Sequence, residues 1–302
     1  MSSCLSRASR RSAAAAAAAL LALACAGDAP ARADVLRDDF GAELRAPAPG
    51  ETQRIVSLNP ATTELLFAIG AGEALVGRSH WDEWPDSARL VPDLGPALRP
   101  NVEAVLARRP TLVVLYASGE NRGAAEQLRA AGVQTLALTT DEIAQFRRAA
   151  RILGAVTGRE ARAAAVVDSV DRTLARVRAA TAALRPPTVF VHVWDDPVIT
   201  VGAGSFMTEL VAIAGGRNVY ADVAAPSAQV ALEDVVRRDP ELMLAGPVGA
   251  ARLRSDPAWR AVPAVRAGRI VVADTTLIAR PSVRLGEAAV SLARLFHPGL
   301  GL

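Results

Sequence analysis

Two adjacent carboxylates, Asp195 and Asp196, are a possible pair for acid–base chemistry. Adjacent side chains usually point apart, and the following Pro197 favours a turn, so the pair is explained without catalysis. The sequence has no G-x-S-x-G elbow and no P-loop. Its glycines at 202 and 204 lack the third glycine and the downstream acidic residue of a dinucleotide fingerprint. We therefore predict that the protein is not an enzyme.

The three histidines are the candidate metal ligands. His80 could ligate haem iron, and the alternative is a solvated loop histidine. His192 lies in an apolar run and is typical of a hydrogen-bonded core histidine, whereas His297 has no companion ligand residues. Since no cluster of His, Asp and Glu has metal-ligand spacing, we predict no protein-held metal ion and no cofactor.

Tryptophans are the residues best suited to the wall of a pocket for a large planar ligand. They are scarce, because aromatic residues make up only 4% of the chain. Trp81 and Trp194 each follow an apolar, strand-like run, and α/β folds bind ligands at strand ends. A tryptophan packed beneath its own loop is the alternative for Trp81. Trp84, beside Pro85, is interpreted as structural.

The elements that must position these residues alternate between strand and helix in each half of the chain. In the first half, the patterns predict strands at 54–58, 75–78, 112–116 and 134–138 and helices at 63–69, 102–108 and 124–131. In the second half, they predict strands at 188–193, 198–201, 241–245 and 269–273 and helices at 205–214, 232–238 and 282–296. This alternation favours an α/β fold with two parallel sheets covered by helices.

One uninterrupted helical pattern, residues 159–185, separates the two halves. Its roughly 26 residues would span about 39 Å, enough to brace two lobes, and packing within a single domain is the alternative. We predict an α/β lobe at 52–158 and another at 186–298 on either side of it. The predicted apolar stripe of the helix consists of Val166, Val170, Leu174, Val177 and Leu184.

Two pairs of similar segments recur in the same order along the chain. TELL at 63–66, in a segment that ends at Gly70, resembles TELV at 208–211, in a segment that ends at Gly215. NVEAVLARRPTLVVLY at 101–116 resembles ALEDVVRRDPELMLAG at 231–246. Two matched segments in one order predict duplicated lobes, with an insertion in the first lobe that includes SHWDEWP at 79–85. Glu103 and Glu233 occupy equivalent positions at the starts of the matched helices. A carboxylate there also favours the helix dipole by about 0.3–1 kcal/mol.

The first 33 residues have the features of an export signal, because arginines precede an apolar run at 13–24 that is too short to span a bilayer. Cleavage before Cys25, which would then carry a lipid, and cleavage before Asp34 are both compatible with the sequence. Cys4 and Cys25 are the only cysteines, so we predict no disulfide in the mature domain. The net charge of +3, without basic clusters interleaved with aromatics, argues against nucleic-acid binding.

A set of motifs in a fixed order carries a family resemblance. RIVSLNPATTELLFAIGAGEALVGRSHWDEWP is followed by NVEAVLARRPTLVVL, the long helix, a second lobe and RPSVRLGEAAVSLARLFHP. Over about residues 52–298 this set resembles the cobalamin-binding periplasmic proteins and, more widely, the ferric-siderophore, haem and cobalamin substrate-binding proteins of ABC importers. The resemblance implies two duplicated α/β lobes joined by one long rigid helix, with a ligand cleft between the lobes.

The same resemblance implies a function. The protein would capture a corrinoid, or alternatively a ferric siderophore or haem, and deliver it to a membrane permease. We expect a monomer, located in the periplasm or anchored to the cell envelope by a lipid on Cys25. Glu103 and Glu233 match the acidic residues that family members present to arginines of the permease.

The resemblance also assigns ligand contacts. Trp81 stands where the cobalamin binders have a tyrosine, the loop of Trp194 faces the cleft, and Arg280 matches an arginine near the cleft. Arg280 could meet a carboxylate, phosphate or amide of the ligand, and a surface salt bridge is its alternative. Trp259 is expected to pack in a helix far from the cleft. The predicted ligand-binding residues are His80, Trp81, Trp194, Asp195 and Arg280.

Three departures from the cobalamin pattern bear on the ligand. The chain has Ala97, Ser227 and Leu277 where the cobalamin binders place tryptophans.

Overall fold

The computed structural model of the chain describes residues 36–302. The predicted export signal and both of its alternative cleavage sites, before Cys25 and before Asp34, lie outside the described residues. Among residues 36–302, no helix combines the length and the apolar character needed to cross a membrane.

The first lobe is built on a sheet of four parallel strands, in the order β2-β1-β3-β4. Strand β1 and most of β3 are buried, as expected for a parallel sheet covered on both faces. The strands are β1 Ile55–Ser57, β2 Leu75–Arg78, β3 Leu112–Tyr116 and β4 Gln134–Leu138. The helices of this lobe are α1 Pro60–Ala68, α2 Val102–Leu106, α3 Gly119–Ala130 and α4 Ile143–Thr157.

Helix α4 is the element of this lobe that the sequence patterns did not predict. Its start is defined by a capping box: the side chain of Glu142 accepts the backbone N–H of Gln145, and the side chain of Gln145 accepts the backbone N–H of Glu142. It ends at Gly158, whose φ of 65° is the left-handed conformation that favours glycine at a helix end.

The long helix, α5, runs from Glu160 to Thr181, within the predicted range of 159–185. Its 22 residues correspond to about 33 Å. It packs against α4 of the first lobe at Gly154, where an added Cβ would lie 2.8 Å from that of Ala163. The predicted apolar stripe is partly wrong, because Val166 is only half-buried and Leu184 lies beyond the helix end. The buried residues of α5 are Ala163, Val170, Leu174, Val177 and Thr181.

The second lobe repeats the sheet of the first, in the order β11-β10-β5-β8, and adds an antiparallel sheet in the order β6-β7-β9. The strands are β5 Thr188–Val191, β6 Trp194–Asp195, β7 Val198–Val201, β8 Arg217–Asn218, β9 Ser227–Gln229, β10 Leu242–Ala245 and β11 Ile270–Val272. The helices are α6 Phe206–Ile213, α7 Leu232–Arg238, α8 Pro247–Ser255, α9 Pro263–Arg266, α10 Thr275–Ile278 and α11 Leu285–Phe296. Helices α6 and α11 pack against α5, which thus contacts both lobes.

The duplication predicted from the repeated segments is confirmed by the topology. Across the sheet of the first lobe the strand order is β2-β1-β3-β4, and these strands correspond in turn to β8, β5, β10 and β11 of the second lobe. The repeated segments also share their pattern of burial, residue by residue, over 101–110 and 231–240. The fold is therefore two duplicated α/β lobes joined by one long helix.

Candidate ligand-binding site

A largely apolar cavity of about 450 Å³ opens at the carboxyl ends of the second lobe's strands. This is the edge at which α/β sheets bind ligands, because the connections that follow the strands converge there. Its walls come from the segments after β5, β7, β10 and β11. The apolar side chains that line it include Val193, Trp194, Phe206, Met207, Val248 and Ile278.

A second cavity of about 460 Å³ lies between the lobes. Asn59, Trp81 and Glu83 line it from the first lobe, at the carboxyl ends of β1 and β2. The second lobe contributes the start of α10 and the segment that follows it. Thr275 and Ala279 line both cavities, so the two adjoin along one cleft between the lobes.

Trp81 and Trp194 present their indoles to this cleft from opposite lobes. Their exposed fractions are 63% and 61%, far more than a tryptophan buried under its own loop would show. Trp194 is positioned by pairing of β6 with β7 and by donation from its Nε1 to the carbonyl of Asp196, at 3.2 Å. The ring of Trp81 packs against that of His80, with centroids 4.6 Å apart. His80 itself lines neither cavity.

Asp195 is engaged by His192, since Nε2 of the histidine and Oδ1 of the carboxylate lie 2.9 Å apart. His192 is buried, as predicted for a hydrogen-bonded core histidine, and it also lines the apolar cavity. Gly249 permits this packing, because a Cβ there would lie 2.6 Å from Nδ1 of His192. Trp259 packs edge-on against the same ring at 5.6 Å. The expectation that Trp259 lies far from the cleft is therefore wrong: it is buried directly behind a residue that lines the cavity.

Arg280 lines the interlobe cavity, and its guanidinium is already engaged within the protein. Its Nε lies 3.5 Å from Oε1 of Glu64 in α1, and its Nη1 donates to the carbonyl of Trp81 at 3.3 Å. The alternative of a surface salt bridge does not describe this pair, because Glu64 is only 1% exposed. Asp82, equally buried, accepts the backbone N–H of Ser79 at 2.6 Å. Burial raises the pKa of both carboxyls, that of Asp82 to about 6.

A further contact between the lobes runs through Asp141, after β4. Its carbonyl accepts the backbone N–H of Phe206, at the start of α6, at 2.7 Å. Its carboxylate accepts from the hydroxyl of Tyr116 at 2.8 Å. Burial and this carboxylate together raise the pKa of Tyr116 to about 12, which keeps the phenol protonated as the donor. None of these residues was predicted from the sequence as a site residue.

Residues 55–277 match the family described as periplasmic binding protein. The chain belongs to the periplasmic binding protein family. The family predicted from the ordered motifs is thus confirmed, as is the prediction that the protein is not an enzyme.

Individual relatives of this periplasmic binding protein include a vitamin B12-binding protein of Yersinia pestis, 28% identical over 192 residues that cover 64% of this chain and 69% of the relative. The ABC transporter substrate-binding lipoprotein YvrC of Bacillus subtilis is 27% identical over 256 residues, or 82% of this chain and 81% of the relative. Among solved structures, the periplasmic haem-binding protein RhuT from Roseiflexus sp. RS-1 superposes with a TM-score of 0.75 at 26% identity, covering 82% of this chain and 98% of RhuT. The vitamin B12-binding protein BtuF of Vibrio cholerae gives a TM-score of 0.71 at 23% identity, covering 81% and 96%.

Glu103 and Glu233 occupy the same place in the two lobes of this binding protein. Each is the second residue of its helix, α2 or α7, and each is exposed. The two carboxylates are therefore available at equivalent surfaces of the duplicated lobes.

Several cavity residues have no distinctive chemistry and were missed in the sequence. Phe206 and Met207 begin α6, while Val248 follows Gly246-Pro247 at the start of α8. Their positions after predicted strands were the signal available. The three departures from the cobalamin pattern, Ala97, Ser227 and Leu277, line neither cavity, so the apolar walls are supplied by other residues.

Proposed function

We propose that the protein is the substrate-binding component of an ABC importer, and that it captures a corrinoid in the cleft between its lobes. The observation that carries this proposal is the presentation of two exposed indoles, Trp81 and Trp194, to one cleft from opposite lobes. Indoles supply large, rigid apolar faces that suit a macrocycle.

The dimensions of the cleft support a large ligand. Each of the two adjoining cavities, at about 450 and 460 Å³, falls within the range of roughly 300–1,000 Å³ that is usual for a small-molecule site. A ligand that occupies both would lie with its apolar part against the second lobe and its polar substituents towards the first.

The charges of the interlobe cavity favour a corrinoid over haem. Its polar residues include Asn59, Glu83, Thr276 and Arg280, and the positive charge of Arg280 is already offset by Glu64. Neutral side-chain amides, which both donate and accept hydrogen bonds, suit such a surface. Haem propionates would meet the Glu83 carboxylate, which itself lies 3.9 Å from Arg89, and would find no cation without an ionic partner among these polar groups.

The comparisons support this choice of ligand class. A relative named as a vitamin B12-binding protein shares 28% identity with this chain. Haem is the second candidate, because RhuT, named as a haem-binding protein, superposes with a TM-score of 0.75. His80, whose ring packs on Trp81 but lines neither cavity, would have to turn towards the cleft to ligate a haem iron.

Delivery to the membrane would use the paired glutamates. Glu103 and Glu233, on equivalent helices, would contact arginines of a permease and fix the orientation of the complex. A relative named as an ABC transporter substrate-binding lipoprotein supports the importer role. We place the protein in the periplasm, or on the cell envelope through a lipid on Cys25, and we propose that it acts as a monomer.

The test is a titration of the purified protein with cyanocobalamin, cobinamide, haemin and several ferric siderophores. Tryptophan fluorescence reports binding, and calorimetry excludes inner-filter artefacts. Saturable one-to-one binding of a corrinoid, with weaker binding of the others, is expected. Preference for haemin would support the second candidate, preference for a ferric siderophore would refute both, and no binding of any chelate would refute the proposed ligand class.

A further inference from the structure

The loop at 79–85 is the first-lobe segment that carries Trp81 into the cleft, and two arginines of the second lobe contact it. Arg280 Nη1 donates to the carbonyl of Trp81 at 3.3 Å. The guanidinium carbon of Arg284 lies 5.2 Å from the ring centroid of Trp84, within the range of a cation–π contact. The two arginines, four residues apart, therefore hold the loop at both of its tryptophans.

Two buried carboxylates lie beneath this contact. Glu64 and Asp82 are each 1% exposed, and both belong to the first lobe. Arg280 Nε lies 3.5 Å from Glu64 Oε1, so the cation of the second lobe is the direct partner of a buried anion of the first. A buried carboxylate is tolerated when a charge of opposite sign faces it, and loss of that partner is strongly unfavourable. The ion pair therefore draws the Arg280 guanidinium to the first lobe, although its Nε and both carboxylate oxygens of Glu64 make no hydrogen bond among residues 36–302.

Arg284, which immediately precedes α11, is held in turn by a residue in the first turn of that helix. Its Nε and Nη2 donate to the two carboxylate oxygens of Glu287 at 3.1 and 3.2 Å. A two-point contact of this kind fixes the plane of the guanidinium, which then faces the ring of Trp84.

We propose that Arg280 and Arg284 are positioning residues, which hold the 79–85 loop against the second lobe and thereby fix the indole of Trp81 in the cleft. Arg280 then acts on the ligand through Trp81 rather than as a free anion-binding group. The effect on ligand affinity rests on the proposed function, whereas the effect on the loop does not.

The position of the loop is tested by fluorine NMR of protein labelled with 5-fluorotryptophan. The four tryptophans of the chain should give four separate signals, and each signal is assigned with a Trp→Phe variant. Arg280→Met should shift and broaden the Trp81 signal and leave those of Trp194 and Trp259 unchanged. Arg284→Met should act first on the signal of Trp84. The matched control is Arg254→Met, which changes an exposed arginine of α8 with no ion pair among residues 36–302 and should shift none of the four signals.

Two further variants keep the test decisive. Arg280→Lys retains the charge but not the planar guanidinium, so the Trp81 signal should lie between those of wild type and Arg280→Met. If Arg280→Met fails to fold because Glu64 is left as an unpaired charge, the double variant Glu64→Gln/Arg280→Met removes both charges and should still release Trp81. A Trp81 signal that stays at its wild-type position in the folded single or double variant would overturn the proposal.

Ligand affinity provides the second readout, with cyanocobalamin and haemin as probes. For whichever probe binds, Arg280→Met should weaken binding by up to about tenfold, because a loop released by loss of this hydrogen bond must be ordered again when the ligand binds. Arg280→Lys should restore part of that loss, and an unchanged affinity would overturn the link between the arginines and the ligand. If neither probe binds wild type, the proposed function fails, while the fluorine spectra still decide the positioning role.

Discussion

Arg280 of the second lobe and Glu64 of the first form an ion pair across the cleft, with 3.5 Å between Nε and Oε1. Glu64 is almost completely buried in α1, where an unpaired carboxylate would be highly unfavourable. The pair therefore joins the lobes and removes Arg280 from the set of free cations in the cleft.

Asp82, in the same buried region, should make stability depend on pH. Burial raises its pKa to about 6, against the lowering influence of Ser79, Thr63 and Arg280. Because the folded state binds this proton more tightly than the unfolded state, the stabilisation is complete below the unfolded pKa and is lost as pH rises through about 6. Between pH 5 and pH 7.5, wild type should lose about 1 kcal/mol of unfolding free energy relative to Asp82→Asn.

Urea unfolding at the two pH values measures this difference. Asparagine keeps the shape of the side chain and can still accept the N–H of Ser79. Asp86→Asn, at an exposed position nearby, is the matched control and should track wild type at both pH values. A constant difference between wild type and Asp82→Asn would show that Asp82 does not titrate in this range.

Replacing either cleft tryptophan by alanine should weaken ligand binding about tenfold or more, because truncation of an aromatic anchor commonly costs 2 kcal/mol or more. Trp81→Phe and Trp194→Phe should retain part of the affinity, since a smaller aromatic face remains. Calorimetry with the chelate that wild type binds gives the affinities. Leu90→Ala, which changes an even more exposed apolar residue that lines neither cavity, should bind as wild type does.

Removal of the paired glutamates should impair transport and leave capture intact. Glu103→Ala and Glu233→Ala should each reduce uptake in cells, and the double variant should reduce it further, because each lobe would lose one contact with the permease. Calorimetry on the same variants should give wild-type ligand affinity. Glu126→Ala, an exposed residue of α3, provides the control. Normal uptake by the double variant would exclude these residues from docking.

The helix between the lobes should contribute strongly to stability through its buried face. Leu174 is 3% exposed, and Leu174→Ala should lower the free energy of unfolding by about 2–5 kcal/mol. Arg176→Ala, on the exposed face of the same helix, should change it by less than about 0.5 kcal/mol. Unfolding curves in guanidinium chloride provide both free energies of unfolding. Similar losses of stability in the two variants would contradict the orientation of α5.

Much of the fold could be predicted because its signals are local. The predicted strands at 75–78, 112–116 and 134–138 match β2, β3 and β4, since short apolar runs bounded by turns specify buried strands. The predicted strand at 188–193 is wrong at its end, because β5 stops at Val191 and Trp194 begins a separate antiparallel strand. Local hydrophobicity does not distinguish these two strands; their pairing partners, β10 and β7, do.

The sequence by itself predicted the duplicated α/β lobes and the helix between them, because both follow from periodicity and repetition. It also placed Trp81 and Trp194 after strands, whereas a cleft between the lobes was implied by the family resemblance. Only the tertiary structure decided the partners of the charged residues. Glu64 and Arg280 lie more than 200 residues apart in the chain and meet only when the lobes pack together. The tertiary structure likewise places Trp259 behind His192, because such contacts depend on how segments that are distant in the sequence pack in one core.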